Sequence, residues 1–169
     1  MDNLKIYADK AIKSLNDATI VSRMAHWNVR GSNFYEAHLL FERVYNDLGE
    51  FMDGLVETFR AFGYNADFAQ FSGPGISMQN YDCHYLGSLI LDYLLSLSST
   101  LALCFNMCEE SEGDPRIIGL SNHIQNISDA ILSDMYLLQS YLGVWLGAYP
   151  WGKLRKIPDW GPPSPLQRL

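Results

Sequence analysis

Two histidines near the start of the chain are spaced so that both could bind one metal ion. His26 lies five residues before Gly31, and His38 lies five residues after Asn33. Gly31 predicts a left-handed helix stop, and Asn33 followed by Glu36 predicts an N-cap with a capping box. The histidines therefore belong to two consecutive helices, and in a short-loop hairpin they lie at about the same height.

Asp53 and Glu57 form a second pair on the second of these helices, four residues apart and hence on one face. Fifteen residues separate His38 from Asp53, which is ~22 Å along the axis at 1.5 Å per residue. No single metal ion spans that distance. One subunit therefore offers an imidazole half-site and a carboxylate half-site, and a two-fold axis through the middle of the second helix would join the halves twice. The spacing predicts a dimer.

Mixed imidazole and carboxylate ligands suit Fe(II), Mn(II) or Zn(II) better than calcium or copper. An interior Asp and Glu pair also needs a charged partner, which favours a metal site over two structural histidines. The remaining histidines, His84 and His123, have no matching partners and are interpreted as structural. The sequence lacks the Glu-x-x-His motif of self-contained di-iron bundles, and no Ser/His/Asp or Cys/His signature is present.

The elements that must position these residues are helices. Apolar residues recur at helical period, and Asp82 is a plausible cap for the third helix. The stretch between the second and third helices is loop-like, and its Phe68 and Phe71 predict that it packs down onto the bundle. The fold class is therefore all-α, a ferritin-like four-helix bundle with a long crossover between its second and third helices and a Pro-rich C-terminal arm. The predicted helices span about 3–29, 34–62, 82–110 and 115–145.

Composition divides the chain into a bundle domain, 1–148, and a tail, 149–169. The 169 residues are 48% hydrophobic, which is enough for one domain with a sizeable core. The tail holds five of the seven prolines and carries a net charge of +3. The bundle carries a net charge of −10, so the whole chain carries −7. Such a body should attract cations and repel nucleic acid.

Three cysteines without a C-x-x-C pair favour a reducing cytoplasm, with Cys104 and Cys108 in the core. The N-terminus shows no signal-peptide pattern. The segment 85–107 has Asp92 as its single charge and approaches the length of a membrane span. Its hydroxyl residues and its central Asp92 favour instead a helix buried in a bundle or an assembly, with no membrane partner.

The first two helices resemble a known family. The run His26-Trp27-Asn28-Val29-Arg30-Gly31 is similar to the His-Trp-Asn-x-x-Gly opening of the Dps family, the DNA-protecting mini-ferritins. Further family positions then match through residue 63: Phe34, His38, Phe41, Glu42, Tyr45, Asp53 and Glu57. The chain departs from the family at Thr58, where an arginine is frequent, in its crossover and in its long tail. It also has no lysine-rich N-terminal extension of the kind that binds DNA in some members.

The resemblance implies a cytoplasmic homododecamer built from two-fold dimers. His26 and His38 of one subunit and Asp53 and Glu57 of the other would form each catalytic ferroxidase site, with Glu42 as a further metal ligand. Fe(II) would be oxidised there, preferentially by hydrogen peroxide, and stored as ferric mineral, which protects against oxidative damage. Iron is the implied metal, with zinc or manganese as alternative occupants. Trp27 lies near the site, either as interface packing or to intercept radicals.

An acidic turn links the third and fourth helices and has two interpretations. It is a solvated loop, or in a Dps-like shell it lines a three-fold pore that draws in Fe(II). Both remain open from the sequence. Its carboxylates are Glu109, Glu110, Glu112 and Asp114.

Two other functional hypotheses compete with iron storage. The chain could be a structural or DNA-associated shell protein whose metal site only stabilises the dimer, or a ferritin-like scaffold that joins a larger particle through its tail. Twelve copies of a basic arm could capture DNA by multivalency. However, the acidic body and the apolar tryptophans Trp145, Trp151 and Trp160 predict weak or absent DNA binding and an arm that packs on protein.

Overall fold

The computed structural model describes residues 2–67, 71–78, 80–109 and 113–144. Four helices of 27 residues each account for most of them. The predicted helices are all confirmed, with their bounds shifted by three residues or fewer. They are α1 (Asp2–Asn28), α2 (Phe34–Arg60), α3 (Cys83–Glu109) and α4 (Arg116–Leu142).

The helices form a bundle with one long crossover, as predicted. α1 packs against α2 and α3, and α4 packs against α2 and α3, so α1 and α4 lie diagonally opposite each other. The crossover between α2 and α3 runs the length of the bundle. It starts beside the first turns of α1, where the Tyr64 hydroxyl donates to Asp9 Oδ1 (2.9 Å). It ends beside the last turn of α1, where the Arg30 amide donates to the Tyr81 carbonyl oxygen (2.8 Å).

Periodic apolar residues from all four helices fill the core. Phe41 and Phe59 of α2 are among its largest fully buried side chains. Each such side chain contributes roughly 1.5–3 kcal/mol relative to an exposed position. Cys104 and Cys108 are buried, as predicted. The three cysteines are all free thiols, and burial raises the pKa of Cys104 to about 12.

α3 is the most apolar helix. By length and composition alone, it could cross a membrane, and the core helix of a soluble bundle can have the same properties. Half of its most apolar stretch is buried in the protein. Asp92 lies half-buried on it. Burial raises the pKa of the Asp92 carboxyl to about 6, because taking the charged form out of water is unfavourable.

The predicted helix signals are confirmed fully at one of three positions. Asp82 caps α3, since its Oδ1 accepts hydrogen bonds from the amides of His84 (2.9 Å) and Tyr85 (3.3 Å). Gly31 has the predicted positive φ, +122°, but α1 ends three residues earlier at Asn28, so Gly31 turns the connection to α2 and does not itself stop the helix. Asn33 occupies the N-cap position of α2, but its side chain makes no cap hydrogen bond. Its φ of −100° and ψ of 31° lie outside the extended region from which a cap side chain reaches the helix amides.

The crossover is anchored by other residues than expected. Phe71 is 43% exposed, so its predicted packing against the bundle is wrong, and Phe68 lies outside the described residues. Tyr64 is 5% exposed and supplies the buried aromatic contact instead, through its ring against Phe59. The tail 149–169 also lies outside the described residues.

Candidate metal centre

The two predicted histidines meet in the structure. The rings of His26 and His38 stack with their centroids 3.8 Å apart and their planes at 25°. This confirms that they lie at the same height in the α1–α2 hairpin. His26 is 8% exposed and His38 is half-buried.

Each histidine is held by the backbone of the other. His26 Nδ1–H donates to the carbonyl oxygen of His38 (2.9 Å), and His38 Nδ1–H donates to the carbonyl oxygen of His26 (3.0 Å). A carbonyl oxygen only accepts, so both Nδ1 atoms must carry the proton. In the neutral rings this leaves both Nε2 lone pairs free for a metal ion, which is the arrangement that ligating histidines generally adopt.

Aromatic and apolar side chains surround the histidine pair. Phe34 stacks on His38 with centroids 5.1 Å apart, and Tyr45 meets His26 edge-on at 5.2 Å. The Arg23 guanidinium lies 5.1 Å from the centroid of the Tyr45 ring. Trp27, in contrast, is 65% exposed. The rings are therefore held in place on several sides, while Trp27 faces solvent in the single chain.

The predicted carboxylates lie on α2 with different exposures. Glu42 is half-buried and lies one helical turn after His38. Asp53 and Glu57 are exposed and lie in the last two turns of the same continuous helix. The expected interior position of this pair is therefore wrong for the single chain, because both residues lie outside the buried stripe of α2. Among the described residues, no three His, Cys, Asp or Glu side chains are grouped so that they could hold a metal ion.

The two histidines interpreted as structural pack against neighbouring elements. His84 is exposed and stacks on Tyr141, with ring centroids 5.7 Å apart. His123 of α4 lies against the backbone of Gly54, where an added Cβ would come within 2.7 Å of the imidazole Cε1. Its Nε2 is buried and has no hydrogen-bond partner in the described part of the chain. Gly54 is thus the residue that lets α4 place an imidazole beside α2.

The acidic turn between α3 and α4 is described only at its two ends. Glu109 is exposed, and Glu110 and Glu112 lie outside the described residues. Asp114 forms an ion pair with Arg116, with 2.6 Å between Oδ2 and Nη2. Hydrogen bonding from Arg116 lowers the pKa of the Asp114 carboxyl. Part of the negative charge of Asp114 is therefore already compensated within the chain.

Sequence reasoning missed one buried carboxyl, Asp134 of α4. It is fully buried, and its Oδ1 accepts a hydrogen bond from Arg43 Nε (3.1 Å). Burial raises the pKa of this carboxyl to about 6 against the opposing effect of Arg43, and the carboxylate of Asp47 adds to the rise. The one available signal was weak, namely an aspartate among the apolar positions of α4.

The fold matches solved Dps structures. Those from Listeria monocytogenes (TM-score 0.72, 20% identity, 83% of this chain and 94% of that chain), Microbacterium arborescens in a high-iron form (0.71, 18%, 83% and 92%) and Thermosynechococcus elongatus (0.71, 15%, 88% and 95%) superpose on most of the molecule. The predicted ferritin-like four-helix bundle, which is the fold of these Dps structures, is thereby confirmed.

Sequence similarity to characterised proteins is confined to a shorter segment. The proteins named "DNA protection during starvation protein" from Listeria innocua and Listeria monocytogenes are 32% identical over 59 residues, which are 35% of this chain. The matched segment spans 38% of the length of these relatives. No family model matches the chain.

Proposed function

We propose that this chain, which has the Dps fold, is an iron-oxidising and iron-storing mini-ferritin that protects against oxidative damage. The observation that carries the proposal is the His26 and His38 pair, whose reciprocal Nδ1 hydrogen bonds leave both Nε2 atoms available. Because the two imidazoles are already held in place, they lose little further conformational entropy when a divalent ion binds.

The missing ligands would come from a second copy of the chain. If α2 pairs with its equivalent around a two-fold axis, Asp53 and Glu57 of one subunit reach the histidines of the other. Large side chains near the histidine pair are exposed in the single chain and would be covered in such a dimer. They are Trp27 (65% exposed), Phe34 (46%), Tyr35 (67%) and Leu39 (44%).

In the proposed site, neutral histidine nitrogens and anionic carboxylate oxygens would bind Fe(II) as the substrate. Carboxylates from Asp53, Glu57 and Glu42 favour the higher charge of Fe(III), so the same ligands lower the free energy of the oxidised ion. Each Fe(II) gives up one electron. With hydrogen peroxide as the oxidant, two Fe(II) ions reduce one peroxide, and two protons complete two water molecules. The ferric product would then be stored inside a twelve-subunit shell.

Fe(II) oxidation and particle size together test the proposal. We expect an assembly near twelve subunits by light scattering and faster Fe(II) oxidation with peroxide than with air, with both rates lost in the His26→Ala/His38→Ala variant. The matched control is His84→Ala, which removes an exposed histidine outside the site. If wild-type protein oxidises no iron but dissociates when zinc or another metal is removed, the site only stabilises a structural dimer, and the proposal fails.

The acidic turn is proposed as the point of iron access. Changing Glu109, Glu110 and Glu112 to Gln and Asp114 to Asn should slow Fe(II) oxidation without abolishing it. The effect should be largest at low salt, because mobile ions screen the field that concentrates cations. Initial rates between 10 mM and 500 mM salt provide the measurement. Equal rates for both proteins at every ionic strength would assign the turn to an ordinary solvated loop.

DNA binding is expected to be weak or absent at physiological salt. The bundle carries −10 against +3 on the tail, so phosphates are repelled over most of the surface. Gel-shift titrations across salt measure this. Duplex DNA retained at about 150 mM salt by the full chain, and lost on truncation after Ala148, would contradict the expectation and show that the tail is a nucleic-acid contact.

The proposed location is a reducing cytoplasm. Cys83, Cys104 and Cys108 are all buried free thiols, which persist where thiols are kept reduced. A mini-ferritin in that compartment would meet both cellular Fe(II) and peroxide.

A further inference from the structure

An apolar groove lies outside the candidate metal centre, between the C-terminal half of α1 and the end of the crossover. Its volume is about 360 Å³, within the roughly 300–1,000 Å³ range of ligand pockets. The described residues that line it carry no charged side chain, which favours an apolar ligand. They include Ile20, Val21 and Met24 of α1 and Ile76, Met78 and Tyr81 of the crossover.

We propose that this groove holds the C-terminal segment 145–169 of the same chain, through Trp151 or Trp160 and the adjacent prolines. Proline-rich segments bind grooves that present aromatic and apolar side chains, since their extended conformation is largely preset. Two methionines, Met24 and Met78, add adaptable surface for a bulky ring. Trp145, Trp151 and Trp160 are three of the four tryptophans in the chain.

The place where α4 ends favours this occupant. Leu142 and Tyr141 pack near Gly87 and His84 in the first turns of α3. Tyr81 of the groove lies two residues before α3 begins, so segment 145–169 starts at the groove's end of the bundle. Trp151 lies seven residues after Val144 and reaches ~23 Å when extended. α1 lies diagonally across the bundle from α4, about 14 Å away if neighbouring helix axes are about 10 Å apart, so the extended segment is long enough to cross to the groove.

Charge and hydrogen bonding are compatible with the same occupant. The segment carries Lys153, Arg155, Lys156 and Arg168 against Asp159, and the body beneath it is acidic. Long-range attraction therefore holds the segment on the bundle, while the uncharged groove takes its apolar rings. Asn28 Nδ2 donates to the Met24 carbonyl oxygen (2.8 Å). The group that Asn28 offers a ligand is thus its amide oxygen, an acceptor suited to an indole N–H.

Limited trypsin digestion of the full-length assembly tests the proposal. The cleavable bonds follow Lys153, Arg155 and Lys156, and docking should protect them. Ile76→Asp places a charge in the groove and should speed cleavage there by about tenfold, because proteolysis follows the population of the released segment. Leu132→Asp is the matched control, since Leu132 is similarly exposed but lies on α4 (Ile76 38%, Leu132 46%). Equal cleavage of wild type and Ile76→Asp would overturn the proposal.

A second measurement identifies the occupant directly. Trp151→Ser combined with Trp160→Ser leaves the bundle unchanged and should release the segment as Ile76→Asp does. A photo-cross-linking residue at position 76 should attach to segment 145–169 of its own chain, as read by mass spectrometry on mixed ¹⁴N and ¹⁵N subunits. Cross-links to any other segment would replace this occupant by another surface. Cross-links that join differently labelled chains in about half of the products, as random subunit mixing predicts, would replace it by the segment of a second copy.

Discussion

Assemblies of the His26→Ala/His38→Ala chain and assemblies of the Asp53→Ala/Glu57→Ala chain should each lose Fe(II) oxidation, and mixed assemblies of the two should regain it. The reason is geometric, because His38 and Asp53 lie ~22 Å apart on one continuous helix. Each variant therefore destroys one half of every site. A mixed dimer contains one site that is damaged twice and one site that is intact.

The expected recovery has a definite size. With equal amounts and random pairing, half of the dimers are mixed and each has one intact site of two, so about a quarter of the wild-type rate should return. Unfolding and refolding each variant alone supplies the control for mixing. Asp129→Ala, an exposed carboxylate on α4, controls for loss of charge. If mixed assemblies never exceed the sum of the separate variants, the site is not shared between subunits.

Asp134→Asn should stabilise the protein at pH 8 by up to ~3 kcal/mol, with the difference disappearing near pH 4. The carboxyl has its pKa raised from 3.8 to about 6 in the folded chain. The folded state therefore binds the proton more tightly than the unfolded state does. Wild-type stability then rises as the pH falls from about 7 to about 4, and asparagine removes this dependence.

Thermal or urea unfolding at pH 4, 6 and 8 measures the effect. Arg43 is half exposed and lies 3.5 Å from Asp47, so it keeps a partner in the variant. Asp92→Asn should behave similarly, since burial raises the pKa of that carboxyl to about 6, and Asp129→Asn serves as the exposed control. Destabilisation by Asp134→Asn at pH 8 would mean that the buried ion pair with Arg43 outweighs the cost of burying the charge.

Local sequence signals predicted much of the architecture because they act between near neighbours. Helical periodicity defines which face of each helix is buried, so the four helices and the core cysteines followed from the sequence. Asp82 was correctly predicted as a cap, since a short side chain reaches amides two and three residues ahead. Asn33 makes no such bond because its backbone, at φ −100° and ψ 31°, is outside the extended conformation from which a cap side chain reaches the helix amides.

For the candidate site too, some features follow from the sequence and others only from the tertiary structure. The sequence by itself predicted the positions of the residues in the two proposed half-sites, because equal distances from a tight turn place His26 and His38 side by side and a straight helix separates His38 from Asp53. Only the tertiary structure decided the reciprocal bonds that orient the imidazoles, since these depend on how far apart and at what rotation α1 and α2 pack. It alone also decided the pairing of Arg43 with Asp134, which are 91 residues apart. Contacts at such separations are set by helix rotation and rise, and periodicity within one helix carries no information about them.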